Sequence, residues 1–146
     1  MPIKSFRGQL ANEGMETISL HTKNGSTGYI IKKIDTFPVA PGAYDEENIL
    51  KVYTIPQTAV DDLVDFSDQT LIAAAFLQTG TAPTKTAQTN IVFDNVTFNQ
   101  DIYLTAKDVG GSSRPVNYYI ELEQVKLDLN ENTVATLKDI RNISSQ

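Results

Sequence analysis

The sequence predicts an all-β protein: an antiparallel β-sandwich with Greek-key or jelly-roll connections and a short C-terminal helix, in a single domain over residues 1–146. Two observations lead to this prediction. Short runs of alternating apolar residues recur every eight to twelve residues or so, with turn residues between them. In addition, 146 residues with 40% hydrophobic content are enough for one well-buried core. The order in which the strands pair does not follow from these patterns.

The clearest strand lies at residues 116–129, VNYYIELEQVKLDL. Apolar side chains occupy every second position from Val116 to Leu122 with mainly polar ones between them, as in a strand with one face in the core. After Gln124 the apolar positions move by one residue, to Val125 and every second residue beyond it. Such a change of phase indicates a bulge or a passage from one sheet to another. We therefore expect a long, bent strand at the centre of the domain.

Seven other segments show strand patterns bounded by turn residues. The run QTLIAAAFLQ at residues 69–78 also contains good helix formers, but its length favours a strand, buried on both faces. Residues 58–68 are compatible with a helical turn or with an irregular crossover, and residues 79–89 form a polar, threonine-rich loop. The remaining predicted strands are residues 3–10, 15–22, 28–37, 48–55, 90–94 and 97–106.

Turn residues predict two hairpins, and the spacing of the apolar residues changes near the C-terminus. Asn24-Gly25 tolerates positive φ at both central positions of a tight turn, so we expect the strands on either side of it to pair. The Gly/Ser-rich segment 107–114 should likewise join the strand before it to the strand at 116–129. Apolar residues then recur at three- and four-residue steps over residues 132–141. This favours a C-terminal helix, with a last strand as the alternative.

Composition excludes several classes of site and partner. The absence of Cys excludes disulfides, thiolate metal sites and a cysteine nucleophile, and the single histidine, His21, excludes a site with two imidazoles. A net charge of −6 argues against nucleic-acid binding, because phosphates require clustered Lys and Arg. No apolar run approaches the roughly 18 residues of a membrane span, and the N-terminus lacks the apolar core of a signal peptide.

Few residues carry a catalytic or metal-binding signal. His21 would need an orienting carboxylate and a nucleophile, which no local motif supplies, so we expect a surface histidine. Residues 110–113, GGSS, join two strands and open no helix, so they form no phosphate cradle. Two acidic groups could attract Ca²⁺, but the spacing does not match an EF-hand, so solvated loops are expected; they are Asp45, Glu46 and Glu47, and Asp61, Asp62, Asp65 and Asp68. We predict no enzyme, and no catalytic, cofactor-binding or metal site.

Four stretches resemble a family of small proteins encoded by marine tailed bacteriophages. They are MPIKSFRGQLANEG from Met1, VDFSDQTLIAAAFL from Val64, IVFDNVTFNQDIYLTAKD from Ile91 and NYYIELEQVKLDLNENTVATLKDIRN from Asn117. These are strand and turn sequences without a catalytic motif, so the resemblance carries over a role and no functional residue. Members of the family are regarded as virion components. The resemblance therefore implies a structural protein of the capsid, tail or fibre, located in the virion.

We accordingly expect a non-enzymatic capsid decoration or cement protein. Its partners would be other virion proteins, above all the major capsid protein, and itself in a homo-oligomer, without nucleic acid, membrane or cofactor. Contacts are expected at the N-terminal strand and at loops 38–47 and 79–89. One alternative is a tail, neck or fibre-associated component. Another is a carbohydrate-binding module for host attachment, in which Tyr44, Tyr53, Tyr119 and the acidic loops would contact the sugar.

Overall fold

The computed structural model describes residues 2–22, 25–81, 86–93 and 96–128, and every regular element in these ranges is a strand. The predicted helix at residues 132–141 lies outside the described residues. Within the described ranges there is no helix long and apolar enough to cross a membrane. The strands are β1 (Ile3–Leu10), β2 (Gly14–Ile18), β3 (Thr27–Pro38), β4 (Glu46–Tyr53), β5 (Leu71–Thr79), β6 (Ala87–Val92), β7 (Ile102–Asp108) and β8 (Val116–Lys126).

The strands form two antiparallel sheets, with the orders β1-β8-β3 and β2-β7-β4-β5-β6. The first strand thus pairs with the last, β2 with β7, and β4 with β5. β3 and β6 meet through side chains, because Gln88 Nε2 donates to Thr36 O over 2.9 Å and Asn90 Nδ2 donates to Asp35 Oδ1 over 2.8 Å. The strand order resembles that of a jelly roll, except that β6 pairs with β5 and forms no ladder with β3. The prediction of an all-β antiparallel sandwich is confirmed.

The hydrophobic core lies between the two sheets and consists of the side chains that face inward at every second position of the strands. Leu50 and Val52 of β4 and Leu104 of β7 belong to one buried cluster with Ile120 and Leu122 of β8. Full burial of such a side chain contributes about 1.5–3 kcal/mol. The outward residues of the same strands are left to form the surfaces of the two sheets.

β8 is the central strand of the three-stranded sheet, as the sequence predicted, but the bulge is not where it was expected. β8 pairs with β1 residue by residue from Val116 to Glu123, and its pairing with β3 has no shift at Gln124. The irregularity lies in the neighbouring strand β3, between Ile31 and Lys33, so Lys32 is the additional residue. Leu127 becomes buried only beyond the end of β8, where its side chain lies over Gly28. The change of apolar phase therefore marks the end of the strand.

Both predicted hairpins are wrong, because the strands on either side of each turn lie in different sheets. β2 belongs to the five-stranded sheet and β3 to the three-stranded one, and the same holds for β7 and β8. Asp108, the last residue of β7, accepts backbone N–H bonds from Glu47 and from Gly110 and Arg114 of the segment that follows, at 2.7–3.0 Å. These bonds hold the segment against the start of β4, where it passes from one sheet to the other.

The strand prediction for residues 69–78 is confirmed by β5, although only one face of it is fully buried. Ala73, Ala75 and Leu77 lie in the core, whereas Ala74 and Phe76 on the other face are half-buried. β6 begins at residue 87, inside the predicted loop 79–89, of which residues 82–85 lie outside the described residues. Residues 54–70 contain neither helix nor strand, so an irregular connection is correct, but it joins two neighbouring strands of one sheet and is not a crossover between strands.

Candidate interaction surfaces

The outer face of the five-stranded sheet carries a segment of irregular chain. Residues 54–70 lead from β4 to the neighbouring strand β5, and we name them the crossover segment because they pass over the outer face of the sheet. Lys51 points outward from β4, opposite Ala74, yet its side chain is only 3% exposed because the crossover segment covers it. Its Nζ donates to Asp61 Oδ1 over 2.9 Å and to Leu63 O over 2.6 Å. One buried cation thus ties the crossover segment to the sheet.

The pKa values of this ion pair favour the charged forms. Burial alone would lower the pKa of Lys51, but hydrogen bonds with Asp61 and Tyr53 outweigh it, so the pKa is raised. The hydrogen bond from Lys51 in turn lowers the pKa of Asp61, whose side chain is 56% exposed. The pair therefore combines a buried cation with a partly hydrated anion, and both are ionised at neutral pH.

Two further aspartates of the crossover segment shape its backbone. Asp65 Oδ1 accepts bonds from the N and Oγ of Ser67 at 2.9 and 2.6 Å, and these bonds lower the pKa of Asp65. Asp68 Oδ1 accepts equivalent bonds from the N and Oγ1 of Thr70 at 2.9 and 2.7 Å. Such turns satisfy N–H groups in chain that has no strand partner. In the described part of the chain, no group of three His, Cys, Asp or Glu side chains could hold a metal ion.

The crossover segment presents a group of exposed apolar side chains. Leu63 is 72% exposed and Phe66 is 53% exposed, and Val64 and Ile91 of β6 are also exposed. The ring of Phe66 meets that of Phe93 edge-on, with centroids 5.0 Å apart. Beside them is a depression of about 220 Å³, lined by Ile49, Val64, Ala74, Phe66, Phe76 and Ile91. We name Leu63, Val64, Phe66 and Ile91 the apolar patch.

A trough crosses the outer face of the three-stranded sheet. Its two walls are rows of outward side chains: Arg7, Tyr119 and Asp35 form one row, and Asn117 and Phe37 belong to the next. The rows lie two residues apart along each strand, which is about 7 Å. Between them the backbone of the middle row, Gly8, Tyr118 and Thr36, forms the floor. The trough has a volume of about 700 Å³ and is also lined by Gln88 of β6.

The side chains of the trough differ in how they are held. Phe37 is 63% exposed, and Asn117 accepts a bond from Gln9 Nε2 over 3.2 Å. The Tyr119 hydroxyl donates to Glu121 over 2.7 Å, and this bond raises the pKa of Tyr119. Arg7 has no hydrogen-bond or ion-pair partner among the residues that the structure describes. The trough therefore contains one exposed aromatic ring and one free cation.

Glu46 is not the solvated acidic residue that the sequence predicted. It is 1% exposed, because β4 begins at Glu46 and turns this side chain inward. Its Oε1 accepts a bond from Asn48 Nδ2 over 3.0 Å, while Glu46 Oε2 and Asn48 Oδ1 have no hydrogen-bond partner in the described structure. Burial raises the pKa of Glu46 and the nearby charge of Asp108 raises it further, against the hydrogen bond from Asn48.

His21 is exposed, as predicted, but it has a carboxylate partner that sequence patterns did not reveal. Its Nδ1 lies 2.7 Å from Asp101 Oδ1, which also accepts the backbone N–H groups of Leu20 and His21 at 2.9 and 3.1 Å. Burial opposes the charge, but these hydrogen bonds outweigh it and lower the pKa of Asp101. The two residues are 80 positions apart, so only the β2–β7 pairing brings them together. The carboxylate caps the chain that follows β2.

The three tyrosines considered for sugar binding do not meet. Tyr53 is buried on the five-stranded sheet, Tyr44 is stacked 4.1 Å from the guanidinium of Arg114, and Tyr119 lines the trough. Tyr118 lies in the core and Tyr119 points outward, so their predicted opposition is confirmed. The aromatic ring that shares the trough with Tyr119 is Phe37.

Comparisons with known proteins give weak similarities. No protein-family model matches the sequence, and no curated protein matches it. Among solved structures, VP1 of Trichodysplasia spinulosa-associated polyomavirus in complex with 3'-sialyllactose has a TM-score of 0.40 and 10% identity, covering 84% of this chain and 93% of that chain. The virus-like particle of the giant freshwater prawn Macrobrachium rosenbergii extra small virus has a TM-score of 0.37 and 11% identity, covering 83% and 77%. At TM-scores below 0.5 these similarities establish neither a fold nor a role for this chain.

Proposed function

We propose that this protein is a non-enzymatic structural component of a virion, a capsid decoration protein that binds the major capsid protein through the apolar patch. The observation that carries the proposal is the exposure of Leu63, Val64 and Phe66 side by side on one short segment. Single exposed apolar side chains are ordinary, but a contiguous group is typical of a protein contact. We therefore propose the crossover segment as the contact, in place of loops 38–47 and 79–89.

The crossover segment is held in one conformation before a partner arrives. Lys51 fastens it at Asp61 and Leu63, and Asp65 and Asp68 close the turns that follow. A partner therefore does not have to order this chain on binding, which lowers the entropic cost of association. Preorganisation of this kind suits a protein that must attach in many copies.

The charges around the apolar patch define the chemistry of its partner. The crossover segment contains four aspartates, at positions 61, 62, 65 and 68, and there is no Lys or Arg between Lys51 and Lys85. Lys51 itself is buried against Asp61. A complementary surface would place apolar side chains at its centre and Lys or Arg at its rim, since opposite charges steer and align the partners. We assign that surface to the capsid protein.

The fold and the resemblance of the sequence to tailed-phage proteins support a virion role. Jelly rolls occur in viral capsid proteins, but also in lectins and cupins, so the fold is compatible with the role without deciding it. β1 pairs with β8 along one edge and is the outer strand of its sheet. Its other edge could accept a strand of a neighbouring copy, which is the basis on which we propose a homo-oligomer. Light scattering of the purified protein measures that oligomer directly.

The test compares variants in co-sedimentation with particles of the encoding virus that lack this protein. Phe66→Ser should weaken binding by about tenfold or more, because it removes the aromatic ring of the apolar patch. Phe37→Ser is the matched control, since it removes a similarly exposed ring from the opposite sheet and should leave binding unchanged. Circular dichroism checks that both variants are folded.

Each alternative result has a definite meaning. If Phe66→Ser binds as tightly as the unchanged protein, the apolar patch is not the contact. If the unchanged protein does not sediment with the particles at all, the decoration role is wrong. Binding in a copy number that fits a single ring, and not the capsid lattice, would assign the protein to the tail or neck.

A further inference from the structure

The trough on the three-stranded sheet has the shape and chemistry of a ligand site separate from the apolar patch. It runs across the strands between two rows of side chains, on the sheet opposite to the crossover segment. Its floor is the backbone of Gly8, Tyr118 and Thr36, because side chains in this row face the core: Tyr118 and Thr36 are buried, and a Cβ on Gly8 would meet the Tyr118 ring. A peptide that adds to a sheet pairs along a strand edge, parallel or antiparallel to the strands. A ligand that lies across three strands cannot form such backbone hydrogen bonds with a strand edge. The trough therefore suits a chain that is not a peptide.

The two ends of the trough offer different interactions. Phe37, on β3, gives a flat apolar face that is 63% exposed. Arg7, on β1, gives a guanidinium with no partner among the described residues, two strands and one row away, or on the order of 12 Å between Cα atoms. Asn117, on β8 between them, is oriented by its bond from Gln9 and keeps its amide N–H groups for a ligand. The distance between Phe37 and Arg7 is longer than one sugar ring and matches a chain of two or three rings.

The acidic residue of the trough does not cancel the charge of Arg7. Asp35 lies in the same row as Arg7, but on the far strand, with Tyr119 between them. Its carboxylate already faces Lys33 Nζ at 3.4 Å and accepts a bond from Asn90 over 2.8 Å. The free charge of the trough is therefore positive at the β1 end, although the whole protein carries −6. A ligand with a carboxylate at that end would form a charge-assisted, bidentate pair with Arg7.

We propose that the trough binds an oligosaccharide that carries carboxylates, such as a chain of hexuronic acids. The C–H face of one ring packs on Phe37, hydroxyl groups bond to Asn117, and the carboxylate of a further ring pairs with Arg7. Shallow sites that combine an exposed aromatic ring with a few planar polar groups suit such ligands, which are apolar on their faces and polar at their edges. This function is independent of the capsid contact and would attach a decorated particle to acidic polysaccharide.

The experiment titrates the full-length protein with a hexuronic acid trisaccharide and with the matching neutral hexose trisaccharide, by calorimetry and by amide chemical shifts in NMR. We expect millimolar or tighter binding of the acidic sugar, with shifts confined to the two rows that wall the trough. Phe37→Ala should weaken the binding of both sugars by about tenfold. Arg7→Gln should remove only the preference for the acidic sugar. Both side chains are exposed, so both variants should fold.

Controls keep this proposal separate from the capsid contact. Lys126→Gln removes an exposed cation of the same sheet outside the trough, and Phe66→Ser removes the ring of the apolar patch; neither should change sugar binding. The proposal is overturned if about 10 mM acidic trisaccharide, roughly ten times a dissociation constant of about 1 mM, leaves the amide shifts unchanged, or if the shifts lie outside the trough. It is equally overturned if Arg7→Gln keeps the full preference for the acidic sugar. Loss of particle binding in Phe66→Ser with unchanged sugar binding would show that the two surfaces act separately.

Discussion

Replacing Asp61 with alanine tests how the crossover segment is held to the sheet. The substitution leaves the ammonium group of Lys51, 3% exposed, with Leu63 O and Tyr53 as its remaining partners. Removing one partner of a fully buried ion pair costs about 3–5 kcal/mol, because a charge is stranded in the interior. Asp61 is half-exposed, so water can enter where its carboxylate stood and replace part of the lost interaction. We expect a loss of about 1–3 kcal/mol in the free energy of unfolding.

Lys51→Met is the matched control, because it removes the charge and keeps most of the aliphatic stem. Asp61 is then left in contact with water, where an unpaired carboxylate costs little. We expect Lys51→Met to cost less than Asp61→Ala, and the double variant to resemble Lys51→Met alone. The difference from additivity is the coupling between the two side chains, which then equals the cost of Asp61→Ala, about 1–3 kcal/mol.

The assay is urea unfolding followed by circular dichroism, because the chain has no Trp. For a domain of this size, each kcal/mol also shifts the melting temperature by about 2–4 °C. The explanation is refuted if Asp61→Ala costs less than about 0.5 kcal/mol, the range of ordinary surface substitutions. It is also refuted if Lys51→Met is the more damaging of the two, since the stem and not the ion pair would then hold the segment.

Two further outcomes follow from the buried polar groups. The pKa of Glu46 is raised in the folded protein, so the unfolded chain loses this proton at a lower pH than the folded chain does. Stability should therefore fall as pH rises from the ordinary pKa of 4.5 through the folded pKa. Glu46→Gln should flatten this part of the stability profile measured by urea unfolding, and an unchanged slope would contradict the assignment. Gly8→Ala places a Cβ 2.9 Å from the hydroxyl of Tyr118, which is tied to Glu16 over 2.8 Å, so it should cost about 1–3 kcal/mol in thermal unfolding. Gly8→Ala combined with Tyr118→Phe should recover part of that loss, and no recovery would locate the strain elsewhere.

The strands and the direction of their side chains could be predicted from the sequence because both depend on a local pattern. Alternation with a period of two places Val116, Tyr118, Ile120 and Leu122 on one face whatever β8 pairs with, and these four are buried. The same holds for the inward alanines of β5. The interior position of Glu46 was missed because alternation was read only from residue 48, and a carboxylate at a strand entrance is usually solvated.

Strand pairing could not be predicted, because a turn sequence does not specify whether the chain returns along its own sheet or crosses to the other. Asn24-Gly25 and the segment 107–114 have hairpin residues, yet each connects the two sheets of the sandwich. The outcome depends on which distant strand offers a complementary apolar face, and β8 was available to both β1 and β3. The irregular residue at Lys32 is likewise set by that partner strand.

The amino-acid pattern alone therefore determined the fold class, most of the strands and the absence of cysteine or two-histidine chemistry. The candidate surfaces were decided only by the tertiary structure. Nothing in the sequence distinguishes Lys51 from other polar residues, and it is buried only because the crossover segment lies over it. Arg7 and Phe37 are 30 positions apart in the sequence, and they share one surface because β1 and β3 flank β8. Local periodicity is a property of neighbouring residues, whereas a surface is a property of strands that meet across the whole chain.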